Sequence, residues 1–182
     1  MDNRIEKALL SSDDISKRTA EMAACITEDY RGVDLVAVGV LKGAFVFLAD
    51  LVRHIELPLE IDFVAVSSYG TDTVSSGVVK IIKDVDLDIS GKHVLLVEDI
   101  VDTGLTLKYL MGVLRERGAA SVEACALLNK PHARKVEIEV KYKGFDLPPV
   151  FVVGYGLDCA ERFRHLPYVG VLKESEGRNE IS

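Results

Sequence analysis

Two stretches of this chain are almost uninterrupted runs of apolar residues, and they restrict its fold more than any other feature. They are VDLVAVGVL, Val33 to Leu41, and HVLLVED, His93 to Asp99. A strand with one face in water alternates apolar and polar side chains. A continuous run instead implies burial on both faces, as in a parallel sheet covered by helices on each side. Each run leads through a loop into an amphipathic helix, the first over Ala44 to Ile55 and the second over Leu105 to Arg117. The second carries Leu107, Leu110, Met111 and Leu114 on one face and has Gly118 as its stop. SVEACALLNK (Ser121 to Lys130), VFVVGYGLD (Val150 to Asp158) and EIDFVAVSSYG (Glu60 to Gly70) read as further strands. Strand and helix in alternation predict right-handed βαβ units, hence an α/β fold with a doubly wound, mainly parallel sheet. A helix over about Ser12 to Tyr30, with Ser12 or Asp13 as its cap, precedes the sheet. The length, 182 residues, suits one domain spanning 1–182. The polar stretch YGTDTVSSGV, Tyr69 to Val78, reads as a mobile loop, and the last residues, ESEGRNEIS, as a frayed end.

The second run stops at two adjacent acids, Glu98 and Asp99, with Asp102 close behind and then Thr103, Gly104, Leu105 and Thr106. In open α/β sheets ligands bind beyond the carboxyl ends of the strands, where these residues fall. A single acid there is most simply a solvated loop residue. Three carboxylates crowded together repel one another, which makes sense if a divalent cation or a cationic sugar-like transition state lies among them. The glycine permits close backbone approach, and the amides and two threonine hydroxyls at a helix start form an anion cradle suited to phosphate. Neither a Walker loop nor a Gly-x-Gly-x-x-Gly fingerprint is present.

Net charge is −7, which disfavours general nucleic-acid binding. No apolar run is long enough to span a membrane and the N-terminus lacks the apolar core of a signal peptide, so a cytoplasmic protein is expected. Cys25, Cys125 and Cys159 lack metal-ligand spacing and read as buried small hydrophobes. His54, His93, His132 and His165 have no partners at ligand spacing, and none is given a catalytic role.

VLLVEDIVDTGLTL resembles the phosphoribosyl-pyrophosphate motif of the type I phosphoribosyltransferases: an apolar strand, two acids, two apolar residues, then Asp-Thr-Gly. Other segments are similar to the purine-salvage hypoxanthine(-guanine) members. GVLKGAFVFLADL resembles their pyrophosphate loop, SSYG the start of their lid, LLNK their base-contact strand, and VFVVGYGLDCAERFRHLPYVGVL their C-terminal hood. The match runs from about residue 5 to residue 172. It implies a lid at about 68–78 and a small hood built mainly from 1–15 and 145–175.

The resemblance implies transfer of the 5-phosphoribosyl group from phosphoribosyl pyrophosphate to N9 of a 6-oxopurine, with Mg²⁺, by a homodimer or homotetramer. It places Glu98 and Asp99 beside the ribose hydroxyls and magnesium, Asp102 as acid/base near purine N7, and Thr103, Gly104, Leu105 and Thr106 around the 5′-phosphate. Lys42 and Gly43 become pyrophosphate contacts, with a cis Leu41-Lys42 peptide, and Ser68 and Tyr69 lid contacts. Lys130 donates to the C6 oxygen, Phe151 stacks on the base and Val152 offers its backbone. Asp158 is associated with a second magnesium and Arg164 with pyrophosphate, whereas Arg162 is expected to be solvated. Without the resemblance, Lys42 and Lys130 would be ordinary surface lysines and Phe151 a core residue. Two alternatives share the fold. A nucleic-acid-binding regulator would need a basic face, and a uracil or adenine enzyme is at odds with Lys130 and the hood pattern.

Overall fold

The computed structural model describes residues 2–68 and 79–173. The expected lid segment, apart from Ser68, lies outside the described residues. In chain order the elements are β1 (Ile5–Leu10), α1 (Ser12–Asp29), β2 (Leu35–Leu41), α2 (Phe45–His54), β3 (Leu59–Ser68) and β4 (Val79–Lys83). Then follow β5 (His93–Val101), α3 (Leu105–Glu116), β6 (Ser121–Asn129), a 3₁₀ turn at Pro131–Ala133, β7 (Tyr142–Asp146), β8 (Val152–Val153) and β9 (Val169–Leu172).

The large sheet has the order β4-β3-β2-β5-β6-β7. Its strands are parallel except β4, which runs antiparallel to β3. The continuous hydrophobicity of β2 and β5 has the expected cause, because each face of the sheet meets a helical layer. Leu35, Ala37, Leu95 and Val97 pack with Met22 and Ile26 of α1 and Phe47 and Leu51 of α2. Val36, Val38, Val40, Val94 and Leu96 pack on the other face with Leu107, Leu110, Met111 and Leu114 of α3. Each fully buried side chain of this size stabilises by about 1.5–3 kcal/mol. The chain moves outward from β2 to β3 in one direction and from β5 to β6 and β7 in the other. The switch point, where a crevice must open, therefore lies at the carboxyl ends of β2 and β5.

A second, antiparallel sheet of order β1-β9-β8 joins the two ends of the described chain, with Ile5 opposite Leu172 and Val152 opposite Val171. Ile5, Val153, Cys159, Phe163 and Leu172 form its small core, and the Arg4 guanidinium lies 4.4 Å from the centre of the Phe163 ring.

Three expectations need correction. Helix α1 is capped by Ser11, one residue before the expected cap. The Ser11 hydroxyl accepts from the Asp14 amide at 3.1 Å and the Asp14 carboxylate accepts from the Ser11 amide at 3.0 Å, a reciprocal box that needs an acid three residues after the cap. Cys25 is exposed, because it sits on the solvent side of α1 while Met22 and Ile26 face the core. The stretch Val150 to Asp158 is a strand only at Val152–Val153. Gly154, Tyr155 and Gly156 all have positive φ, so the backbone turns instead of continuing.

Candidate active site

The acids do not end β5. The strand runs on through Glu98 and Asp99 to Val101, with Ile100 and Val101 still paired to Leu128 and Asn129 of β6. Glu98 is buried, and burial followed by the Asp99 charge pushes its carboxyl well above the usual range. Asp99 is pushed up to about 6, first by burial. The amide of Ile100, donating to it at 2.8 Å, and the Arg164 charge act in the opposite direction, while Asp158 adds to the rise. Burial and a like charge nearby, Asp99 for Glu98 and Asp158 for Asp99, disfavour the ionised form of both acids, an effect that a bound cation would oppose.

The turn after β2 faces this pair. The Leu41-Lys42 peptide is cis, where the resemblance implied it. A side chain at Gly43 would collide with the Asp99 carboxylate, so only glycine lets the two strand ends approach this closely.

Beyond β5 the chain turns through Asp102 and Thr103 to Gly104, which caps α3 in the left-handed conformation, φ 82°. A Cβ there would also come within 2.9 Å of Ile138 and 3.1 Å of Arg134. The Thr103 hydroxyl accepts from the Leu105 amide at 3.4 Å, and the α3 N-terminus opens toward the cleft. The segment after β6 lies along this turn, with Lys130 donating its amide to the Val101 carbonyl at 2.9 Å and Lys135 donating to that of Thr103 at 3.0 Å.

A cleft of about 230 Å³ is lined by Gly43, Glu98, Asp99, Asp102, Thr103, Gly104 and Thr106, with Val40, Leu41, Val66, Ile100, Val101 and Leu107 as its apolar wall. It is smaller than the several hundred Å³ typical of small-molecule sites. The remaining expected residues stand outside its lining. Lys42 is exposed and points toward the hood. Leu105 opens α3, and Lys130 follows β6. Phe151 is 45% exposed, an unfavourable setting for an aromatic ring. The Val152 side chain is buried, leaving its backbone as the part able to meet a ligand. Ser68 closes β3, and Tyr69 lies outside the described residues.

The hood loop supplies the other wall. Gly156 packs directly on the Gly43 carbonyl. Arg164 donates to the Gly156 carbonyl at 2.9 Å and pairs with Asp158 at 2.8 Å, while its Nε is buried without a hydrogen-bond partner. Asp158 thus faces Arg164 and the neighbourhood of Asp99 together. Among the described residues, no three His, Cys, Asp or Glu side chains converge closely enough to hold a metal ion unaided.

Two residues near the site escaped the sequence reading. Arg134 lies against Gly104, donates to the Asn129 side chain, and keeps its Nη1 buried with no partner. Glu161 bridges Lys42 and Arg164. A basic residue shortly after a strand that ends beside β5 was the available signal for Arg134. No local signal marks Glu161.

The comparisons with known proteins agree with this layout. The phosphoribosyl transferase domain family matches residues 7–160. The hypoxanthine-guanine phosphoribosyltransferase of Bacillus subtilis is 53% identical over 173 residues, covering 95% of this chain and 96% of that protein. The Streptococcus pneumoniae protein of the same name is 52% identical over 174 residues, covering 96% and 97%. The crystal structure of a hypoxanthine phosphoribosyltransferase from Staphylococcus aureus superposes with a TM-score of 0.93 at 47% identity, covering 96% of this chain and 95% of that one. Strand order, acid pair, left-handed glycine cap and these similarities converge: the chain belongs to the phosphoribosyl transferase family, among its hypoxanthine-guanine phosphoribosyltransferases.

Proposed function

We propose that the protein transfers the 5-phosphoribosyl group of phosphoribosyl pyrophosphate to N9 of hypoxanthine or guanine, giving IMP or GMP and pyrophosphate. The observation that carries this reading is the meeting of Glu98, Asp99 and Asp102 with the Gly104-capped helix start in one cleft at the switch point of the sheet. In the reaction the bond from C1′ to the pyrophosphate oxygen breaks, the bond from C1′ to N9 forms, and positive charge develops on the ribose ring. In this reading Glu98 and Asp99 face the ribose hydroxyls and the developing charge, and their carboxylates favour the transition state over the ground state. Asp102, exposed at the cleft mouth, accepts the proton released by the base. The amides of Thr103 to Thr106 hold the 5′-phosphate, and Lys42 and Arg164 meet the departing pyrophosphate.

The donor set fits Mg²⁺. Carboxylate oxygens suit a hard cation, and a site short of three converging protein ligands is how Mg²⁺ is held when substrate oxygens and water complete its shell. Glu98, Asp99 and, on the pyrophosphate side, Asp158 would hold it, and when bound it supplies positive charge against the polyanionic leaving group.

Lys130 selects the base, because an ammonium facing a C6 oxygen makes a hydrogen bond while facing a C6 amino group leaves donor against donor. Phe151 stacks on the purine, and Ser68 and Tyr69 belong to a segment that closes over pyrophosphate. Among the described residues no helix is long and apolar enough to cross a membrane. We place the enzyme in the cytoplasm as a homodimer or homotetramer, a reading that exposed Phe45, Ile61 and Ile82 support. Light scattering tests the assembly. Steady-state kinetics with hypoxanthine, guanine, xanthine and adenine, each with phosphoribosyl pyrophosphate and Mg²⁺, test the reaction. Turnover of hypoxanthine and guanine with little of adenine is expected, and efficient use of adenine would overturn the role of Lys130.

A further inference from the structure

We propose that Glu161 is a resident anion of the leaving-group site, exchanged for pyrophosphate when pyrophosphate binds, and so sets how readily pyrophosphate leaves. The inference rests on reading Lys42 and Arg164 as the pyrophosphate contacts. Both cations reach the same atom, Glu161 Oε2, Lys42 Nζ at 3.1 Å and Arg164 Nη2 at 3.3 Å. They arrive from different parts of the chain, the turn after β2 and the hood loop, which are locked together where Gly156 meets the Gly43 carbonyl. One carboxylate oxygen between two cations is the arrangement a phosphate oxygen would adopt there. Pyrophosphate and the Glu161 carboxylate are both anions, so they compete for the position.

The loop is built to present this side chain and to let it go. Ala160 and Glu161 have φ of 49° and 63°, a left-handed pair that no glycine relieves. Asp158 stabilises the turn by accepting from the Glu161 amide at 2.9 Å. The Glu161 side chain is 65% exposed, so it can swing into water without leaving a cavity. Arg164 does not depend on it for its orientation. Asp158 and the Gly156 carbonyl hold the guanidinium, and its Nε remains buried without a partner. Departure of Glu161 therefore leaves Arg164 in place for the incoming anion. In its absence, the outgoing anion would face one carboxylate fewer at the cation pair, with Asp158 still on Arg164.

The test is calorimetric titration of inorganic pyrophosphate with Mg²⁺ into the wild type, Glu161→Gln, Glu161→Ala, Lys42→Ala and Arg164→Ala, with IMP as a second ligand. Removing an exposed competitor for two cations should tighten pyrophosphate binding roughly 3- to 10-fold in both Glu161 variants. Affinity for IMP, which occupies the phosphate cradle instead, should not change. Steady-state assays should show a lower inhibition constant for pyrophosphate and lower kcat and KM for phosphoribosyl pyrophosphate, with kcat/KM raised. A merely structural role for Glu161 would lower kcat/KM and leave pyrophosphate affinity the same or weaker, and that outcome overturns the proposal. If Lys42→Ala and Arg164→Ala bind pyrophosphate as tightly as the wild type, the reading of the site itself fails, and the proposal with it. Weak binding by those two variants without tightening by Glu161→Gln rejects the proposal alone.

Discussion

Asp62 on β3 and the Glu98/Asp99 pair on β5 are acids of one sheet with opposite electrostatic settings. Burial alone would raise the pKa of Asp62. The amides of Leu87, Phe63 and Asp86, at 2.9, 2.7 and 2.7 Å, with the Lys83 charge, outweigh burial and hold its carboxyl below the usual range. The pair on β5 has a like charge beside it and far fewer donors, and both carboxyls are pushed up. The first acid is complete within the protein, stapling the loop after β4 to β3. The second, among the described residues, has too few donors and only the Arg164 charge to offset burial. Among buried carboxylates it is this shortage, and not burial, that distinguishes a binding site from a structural staple.

The largest expected effect that sharpens the contrast is at the exposed third acid. Asp102→Asn keeps size and hydrogen-bonding reach but not basicity, and kcat should fall about 10²–10⁴-fold with the melting temperature unchanged. An Asn variant with near-normal turnover would remove Asp102 from proton transfer. Next is Asp62→Ala, which strands three backbone donors and should cost about 3 kcal/mol of stability in denaturant titrations while turnover per folded molecule is kept. A loss of turnover with unchanged stability would break the comparison by making Asp62 part of the site.

The smallest effect has the opposite sign. Asp99→Asn should stabilise the metal-free protein by about 1–3 kcal/mol at pH 8. A carboxyl whose folded pKa lies above its unfolded value binds protons more readily when folded. Its unfavourable contribution therefore grows as pH rises from the unfolded value, 3.8, through about 6, and is constant above that. Asp62, with a lowered pKa, contributes stability that is present above 3.8 and lost as pH falls below it. Thermal melts of wild type and Asp99→Asn across pH 4 to 8 should diverge over this window and converge at its acid end. Parallel curves would show that Asp99 is not held at a raised pKa. Mg²⁺ with pyrophosphate should stabilise the wild type more than the variant.

Much of the fold was legible because β2 and β5 are buried on both faces and their residues show it. The acid pair was legible for a related reason, since three carboxylates crowded directly after such a run are costly unless something holds them there. What the sequence hid depends on distant segments. Strand β1 buries only Ile5 fully, and β9 is four residues long, so neither declares itself without the other. Cys25 looked like a core residue until the helix phase set by Met22 and Ile26 placed it outside. Arg134 and Glu161 are polar residues on turns, and only the return of the hood and of the segment after β6 to the end of β5 brings them to the site.

The ladder between β1 and β9 has a bearing on order of assembly. Ile5 waits for Leu172, so the small sheet closes the longest loop in the described chain, whereas β2, β3, β5 and β6 find partners among near neighbours in sequence. Closing a longer loop costs more entropy, and contacts of this kind form late and open early. During synthesis Glu98, Asp99 and the Gly104-capped start of α3 are then expected to assemble on the large sheet before Asp158 and Arg164 are fixed beside them. Nascent chains halted before β9 should retain the large sheet yet leave the amides of residues 154–164 open to exchange, and equal protection in both regions would refute this order.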